Sequence, residues 1–333
     1  MPSLHGRRLW RNLKFLWKFL VPLLAQKYRV IVYDTMQFGN SLVGTPNVVF
    51  IKGDIQDIDK LSDAMKFCET VVHLAAIVTD ELCAMNPEYA VKVNYDGSKN
   101  LVEACRVNGV KRLIYASSSG VYGSQRNGAF ATEGIVPKPE TVYMETKLAA
   151  EQYLREAAEK NGYEFAAVRS ATCCGPAPRM RLDTVVNTFC KQAWFDNEIK
   201  VWGGSQWRSN IHVRDAAGFY QFLVDMDSAP FRGPMPIFNI NRSVQQVLNI
   251  AQLVRALCPK SSNIVIENIV DTRDYRIESK YVWNRFKWCP LQSIETAIQE
   301  NFAFFKAGGF DPTDDLYWNT RRMAETVKRG GPA

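Results

Sequence analysis

Residues 115–123 read YASSSGVYG, and residues 143–154 read YMETKLAAEQYL. The first closes an apolar run, RLIYASS (112–118), that breaks into serine and glycine as a buried strand does at its end. The second opens a helix with Tyr143 and Lys147 four residues apart, on one face and about a turn from each other. A lysine so placed favours tyrosinate electrostatically and brings the phenol toward proton transfer near neutral pH. In parallel α/β sheets ligands bind beyond the carboxyl ends of strands, where Ser117, Ser118 and Ser119 would stand. A serine run alone is turn chemistry, and Tyr-x-x-x-Lys alone recurs by chance. The two in this order, about 25 residues apart, say much more than either.

The flanking chain alternates. RVIVYD (29–34), NVVFI (47–51), TVVHLAA (70–76), RLIYASS and EFAAVR (164–169) read as buried parallel strands. Helical stretches lie between them, at Asp57 to Cys68, Pro87 to Val107 and Tyr143 to Lys160. This predicts an α/β, Rossmann-like doubly wound sheet over 21–170. Residues 171–310 loosen into a smaller, interleaved substrate-binding lobe with helices near 183–196, 214–226, 244–257, 279–286 and 291–306. Residues 311–333 read as a polar helix and a frayed tail.

Of the 41 basic residues, seven (Arg7, Arg8, Arg11, Lys14, Lys18, Lys27 and Arg29) fall in the acid-free first 33 positions; the other 34 match the 34 acidic residues. The net charge of +7 thus belongs to the start of the chain and gives no sign of a nucleic-acid-binding face. No apolar run approaches the roughly 20 residues of a membrane span. Eight cysteines without a CxxC pair predict reduced thiols in a cytoplasmic protein, and three scattered histidines argue against a zinc site.

Together with GDIQD (53–57), VVHLAA (71–76), VNYDGSKNLVEAC (93–105), VRSATCCGPAPRMR (168–181), VVN (185–187), QWRSNIHVRDAA (206–217) and DTRDYRIE (271–278), these motifs resemble the extended short-chain dehydrogenase/reductase family, in its NAD-dependent nucleotide-sugar epimerase/dehydratase branch. The resemblance implies that Ser118 and Tyr143 polarise and deprotonate a sugar hydroxyl, while Lys147 binds the nicotinamide ribose and lowers the tyrosine's pKa. It implies that Asp34 meets the adenosine ribose and favours NAD over NADP, because a 2′-phosphate would face a carboxylate. Asp54 and Ile55 would flank adenine, Ala75 and Ala76 line the cofactor, and Asn94 brace the strand ends. Asn187, Arg208 and Arg273 would hold the diphosphate of an NDP-sugar, with Arg179, Arg181 and Arg276 as further candidates. A homodimer through the helices at about 95–107 and 143–160 is implied as well.

The dehydratases of this family place an Asp-Glu pair after the serine or threonine, where this chain has Ser119 and Gly120, so an epimerase is expected. Alternatives are a dehydratase or reductase of the same family and a non-catalytic sugar- or NAD-binding relative. The start departs from the family: residues 6–20, GRRLWRNLKFLWKFL, have no GxxGxxG turn, and no glycine stands between Gly6 and Gly39. The match resumes near Val21 without a spacer. The first strand and its phosphate turn are therefore expected to be missing or replaced, by a frameshift or wrong exon, by genuine loss, or by a basic organellar or membrane-surface segment with Leu9, Leu13, Leu16 and Leu20 on one face.

Overall fold

Seven parallel strands make the central sheet of the chain, in the order β10-β6-β5-β4-β1-β2-β3. A computed structural model describes residues 8–10, 15–124, 128–227, 231, 236–269 and 273–331, with Arg8–Trp10 as backbone alone. The elements up to the sixth strand are β1 (Arg8–Trp10), α1 (Trp17–Ala25), β2 (Arg29–Asp34), β3 (Val48–Lys52), α2 (Ile58–Ala64), β4 (Cys68–His73), α3 (Asp80–Met85), α4 (Pro87–Val91), α5 (Gly97–Val107), β5 (Arg112–Ala116), α6 (Val142–Asn161) and β6 (Glu164–Ser170). Then come β7 (Thr172–Cys174), α7 (Val185–Lys191), β8 (Glu198–Trp202), β9 (Trp207–His212), α8 (Val213–Asp225), β10 (Ile237–Ile240), β11 (Ser243–Gln246), α9 (Val247–Leu257), β12 (Asn263–Glu267), α10 (Lys280–Phe286), α11 (Ile294–Lys306) and α12 (Asn319–Arg329).

The strand expected to be missing is present in short form. Arg8–Trp10 pairs in parallel with β2 on one side and β4 on the other, Leu9 facing both Val30 and Thr70. β1 is thus the strand from which the order runs outward in both directions, and a ligand crevice opens beside its carboxyl end. Residues 11–14 lie outside the described residues, as do Arg7, the side chains of Arg8 and Arg11, and the Leu9–Leu13 half of the proposed surface stripe. The other half is core: Leu16 is 5% exposed and Leu20 fully buried, beside Trp17, Val21 and Leu24. α1 therefore packs on the sheet with α8, and its apolar face is spent there rather than on a membrane. Among the described residues no helix is long and apolar enough to cross one.

Both sheet faces are covered, which is why β2 and β5 read as unbroken apolar runs. Two predicted helices are cut shorter than the sequence suggests. The first ends at Ala64, and Phe67 in the left-handed region (φ +66°) turns the chain into β4 at Cys68. The stretch from Pro87 to Val107 is interrupted by a wider π turn at Lys92–Asp96, of a kind that clusters at functional positions.

The lobe holds a three-stranded sheet (β11-β9-β7) and a parallel pair (β12-β8), while β10 returns to the main sheet. α12 is docked rather than frayed: Val327 is fully buried, Asn86 donates to its carbonyl at 2.9 Å, and Arg322 donates to the Gln37 carbonyl at 3.0 Å. If α1 is integral to the core, Leu20→Ala should cost about 2–5 kcal/mol in urea unfolding. A loss below about 0.5 kcal/mol, the scale of a surface change, would contradict this packing.

Candidate active site

The site forms where β5 ends and α6 begins. Ser118 caps the turn Ser119–Tyr122, its Oγ accepting the Gly120 N–H at 3.1 Å, and its hydroxyl lies close enough to the Tyr143 phenol to favour the ionised form. Thr141 caps α6 by accepting the Met144 N–H, and its own hydroxyl donates to Asp80 at 2.6 Å. One turn into α6, Lys147 is 3% exposed, its ammonium 4.2 Å from the centre of the Tyr115 ring.

Burial pushes the Tyr143 phenol up to about 12, against the Ser118 hydrogen bond and the Arg181 charge, which favour the phenolate. Burial likewise pushes Lys147 down to about 7, against the pull of the Glu151 carboxylate. The Lys147 ammonium meanwhile sits against Tyr115. Glu151 is held in turn by Arg169, with contacts of 2.5 and 3.0 Å between groups each 3% exposed.

Asn94, 1% exposed on the π turn, accepts the Ile77 N–H at 2.7 Å and donates to the Ile77 carbonyl and to Thr146 Oγ1. One amide therefore ties the loop after β4 to α6. Ala75, Ala76, Asp54 and Ile55 line a cleft beyond β2, β3 and β4, joined by Phe15, Thr35, Gln37, Phe38, Leu82, Arg179, Asn319 and Met323. At the end of β2, Asp34 is 1% exposed and accepts the Met36 N–H at 2.6 Å. Ile55 packs so closely that a Cβ on Gly97 would stand 2.6 Å from its side chain.

On the lobe side, Asn187 is fully buried. Its oxygen accepts from Gly175 and Asn301, and its nitrogen donates to Gly175 and Arg181, so the amide braces this loop from within. Arg208 donates to the Arg273 carbonyl, and the Arg273 guanidinium lies 3.6 Å from Asp80. These two arginines meet, and Asp80 links them to the cap of the Tyr143 helix. Arg181 and Arg276 are each paired to a neighbouring aspartate, Asp183 and Asp274.

The sequence model described as the NAD dependent epimerase/dehydratase family matches residues 18–240. The chain belongs to this family. A putative UDP-glucose 4-epimerase of Methanocaldococcus jannaschii is 27% identical over 199 residues, 59% of this chain and 65% of that protein's length. The UDP-glucose 4-epimerase of Mycolicibacterium smegmatis is 25% identical over 85% of this chain and 93% of its own. A solved UDP-glucose 4-epimerase from Thermotoga maritima, with UDP-glucose, superposes with a TM-score of 0.80 at 24% identity, covering 90% of this chain and 99% of that one.

For an epimerase/dehydratase family member the sequence reading omitted Asp80, Thr141, Phe15, Gln37 and Asn319. Thr141 had a local signal, a capping threonine before a helix; Asn319 had none, being brought to the cleft from the far end of the chain. The folded pKa of Lys147 lies below its ordinary 10.5, so between about 7 and 10.5 the unfolded chain binds more protons at this residue. Its contribution to stability should therefore rise with pH through that window and be lost as pH falls. The unfolding free energy of the wild type minus that of Lys147→Met checks this; a difference flat with pH would refute it.

Proposed function

We propose that this chain is an NAD-dependent nucleotide-sugar epimerase, acting on a UDP-hexose or a close analogue. The observation that carries the reading is the placement of Ser118 at the end of β5 beside Tyr143 and the buried Lys147 in the first turns of α6, followed by buried Ser119 and Gly120, which offer no acid–base pair for eliminating water. The relatives named as UDP-glucose 4-epimerases support the substrate class and make C4 the first carbon to test.

The residues fit a dinucleotide at its two ends. Asp34 supplies a carboxylate for the adenosine ribose, and Asp54, Ile55, Ala75 and Ala76 a wall for the adenine side. Lys147 supplies a cation for the nicotinamide ribose. Two buried polar atoms of the cleft, Gln37 Oε1 and Asn319 Nδ2, have no hydrogen-bond partner among the described residues. The enclosed space is about 80 Å³, below the roughly 300 Å³ at the small end of ligand pockets. Phe15 and Arg179 stand in its wall and would have to yield. This narrowness, with the absent glycine turn, favours as a second reading a relative that keeps the fold but holds its cofactor poorly.

Bound NAD supplies the acceptor and donor of hydride. Ser118 orients the sugar hydroxyl, Tyr143 takes its proton as the carbon is oxidised, and the same phenol returns the proton after the ketose presents its other face. Tyr143 starts with a raised pKa, so a cation has to come to bear on it before it can act as a base near neutral pH. Arg181 is already close enough to do so, and Lys147 joins it to the extent that it is protonated. Arg208 and Arg273 suit the diphosphate, whose oxygens match a guanidinium fork, and Asn187 holds the loop between them and the site.

The ridge where Tyr95 meets Tyr153 edge-on at 6.0 Å, with Lys99 over Tyr95, supports a homodimer through α5 and α6; a monomer by light scattering would rule that out. Tyr143→Phe should keep the fold and lower turnover about 10²- to 10⁴-fold, the contribution of a general acid–base group. NMR of UDP-hexose epimers reads the effect, and full activity in the variant would overturn the assignment.

A further inference from the structure

Arg179 is the least compensated charge in the cleft wall. It is 3% exposed, lies 3.9 Å over the Phe38 ring, and donates to the Leu316 carbonyl and to Asn319 Oδ1. None of these partners is a carboxylate. Because a guanidinium has only donors, the Asn319 oxygen has to face it and Nδ2 of the same amide turns away. That Nδ2 is buried without a partner among the described residues, in a residue 3% exposed that lines the cleft. Lys18, 6% exposed in the first turn of α1, donates to the neutral hydroxyl of Ser41 and feels the charges of both Asp34 and Arg179. Arg181 is answered by its two-pronged pair with Asp183, which leaves Lys18 and Arg179 facing Asp34. Arg179 therefore has only neutral hydrogen-bond partners, and the wall carries one buried N–H without a partner among the described residues, both costly out of water.

We propose that Arg179 and the Asn319 amide, with the charge of Lys18 nearby, form the seat for the cofactor's pyrophosphate, taking over the charge that a glycine-rich turn would neutralise. The inference rests on the reading of this cleft as a dinucleotide site. An anion is the ligand that suits both a guanidinium and an amide N–H, and a guanidinium engages two phosphate oxygens together. Burial and the neighbouring Arg181 push Arg179 down to about 9, and burial pushes Lys18 down to about 8; an anion among them would reverse both shifts. Asn319 lies beyond the residues 18–240 that match the family model, while Lys18 and Arg179 lie within them.

Calorimetry with ADP-ribose and with adenosine, on the full chain, separates this seat from the rest of the cleft. Wild type should prefer ADP-ribose, and Arg179→Ala should weaken ADP-ribose about 10- to 100-fold, as loss of a charge-assisted hydrogen bond does, while adenosine changes less than about threefold. Asn319→Asp, nearly isosteric, should act in the same direction by pairing Arg179 internally, and it serves if circular dichroism finds Arg179→Ala unfolded. ADP-ribose affinity unchanged in a folded variant, or lost in parallel with adenosine, overturns the seat while leaving the dinucleotide reading in place. No binding of ADP-ribose by the wild type overturns both.

Discussion

The pairing of Arg8–Trp10 with β2 on one side and β4 on the other is the seam on which the site depends. Strand order reverses there, so the crossovers to the two halves of the sheet leave in opposite directions and cannot cover the carboxyl ends between them. The cleft, the acid at the end of β2 and the loop after β4 are arranged around that gap. The pairing asks little of the residues: backbone hydrogen bonds close on any non-proline side chain. A sequence with tryptophan and arginine where a small-residue strand is expected can therefore still fill the slot.

Buried charge organises the other side of the site. Glu151 and Arg169 are removed from water together, a costly step that good geometry and further hydrogen bonds can repay. Arg169 also stacks over Tyr122, whose hydroxyl donates to Asn239. Glu151 sits a turn beyond Lys147, so this network fixes the acid that most favours the lysine's charged form. Asn94 works without charge, fastening the β4 loop to the same helix. Tyr143 thus stands on elements locked from two directions.

Much of this was legible in the sequence. Five strands and the helix carrying Tyr143 and Lys147 announced themselves through unbroken apolar runs and the Tyr-x-x-x-Lys spacing, and the fold brings Ser118 near Tyr143. What local pattern could not convey was the use of residues by distant partners. The three-residue β1 is too short to show a period, and the polar α12 looks like a solvated tail until Asn86 and Gln37 dock it. Asn187 reads like a ligand contact, yet its amide is consumed by Gly175, Arg181 and Asn301. The Lys147 effect on Tyr143 was expected from spacing, but burial weakens that lysine's charge and Arg181, from another element, stands in.

The central claim is transient oxidation and re-reduction at one sugar carbon within a single cleft. Incubating the protein with UDP-glucose carrying deuterium at C4, and following the label by NMR and mass spectrometry, tests it most directly. The account predicts an epimer that keeps the deuterium on C4, with no exchange into solvent. Deuterium lost to water, or a dehydrated keto-sugar as product, would contradict it.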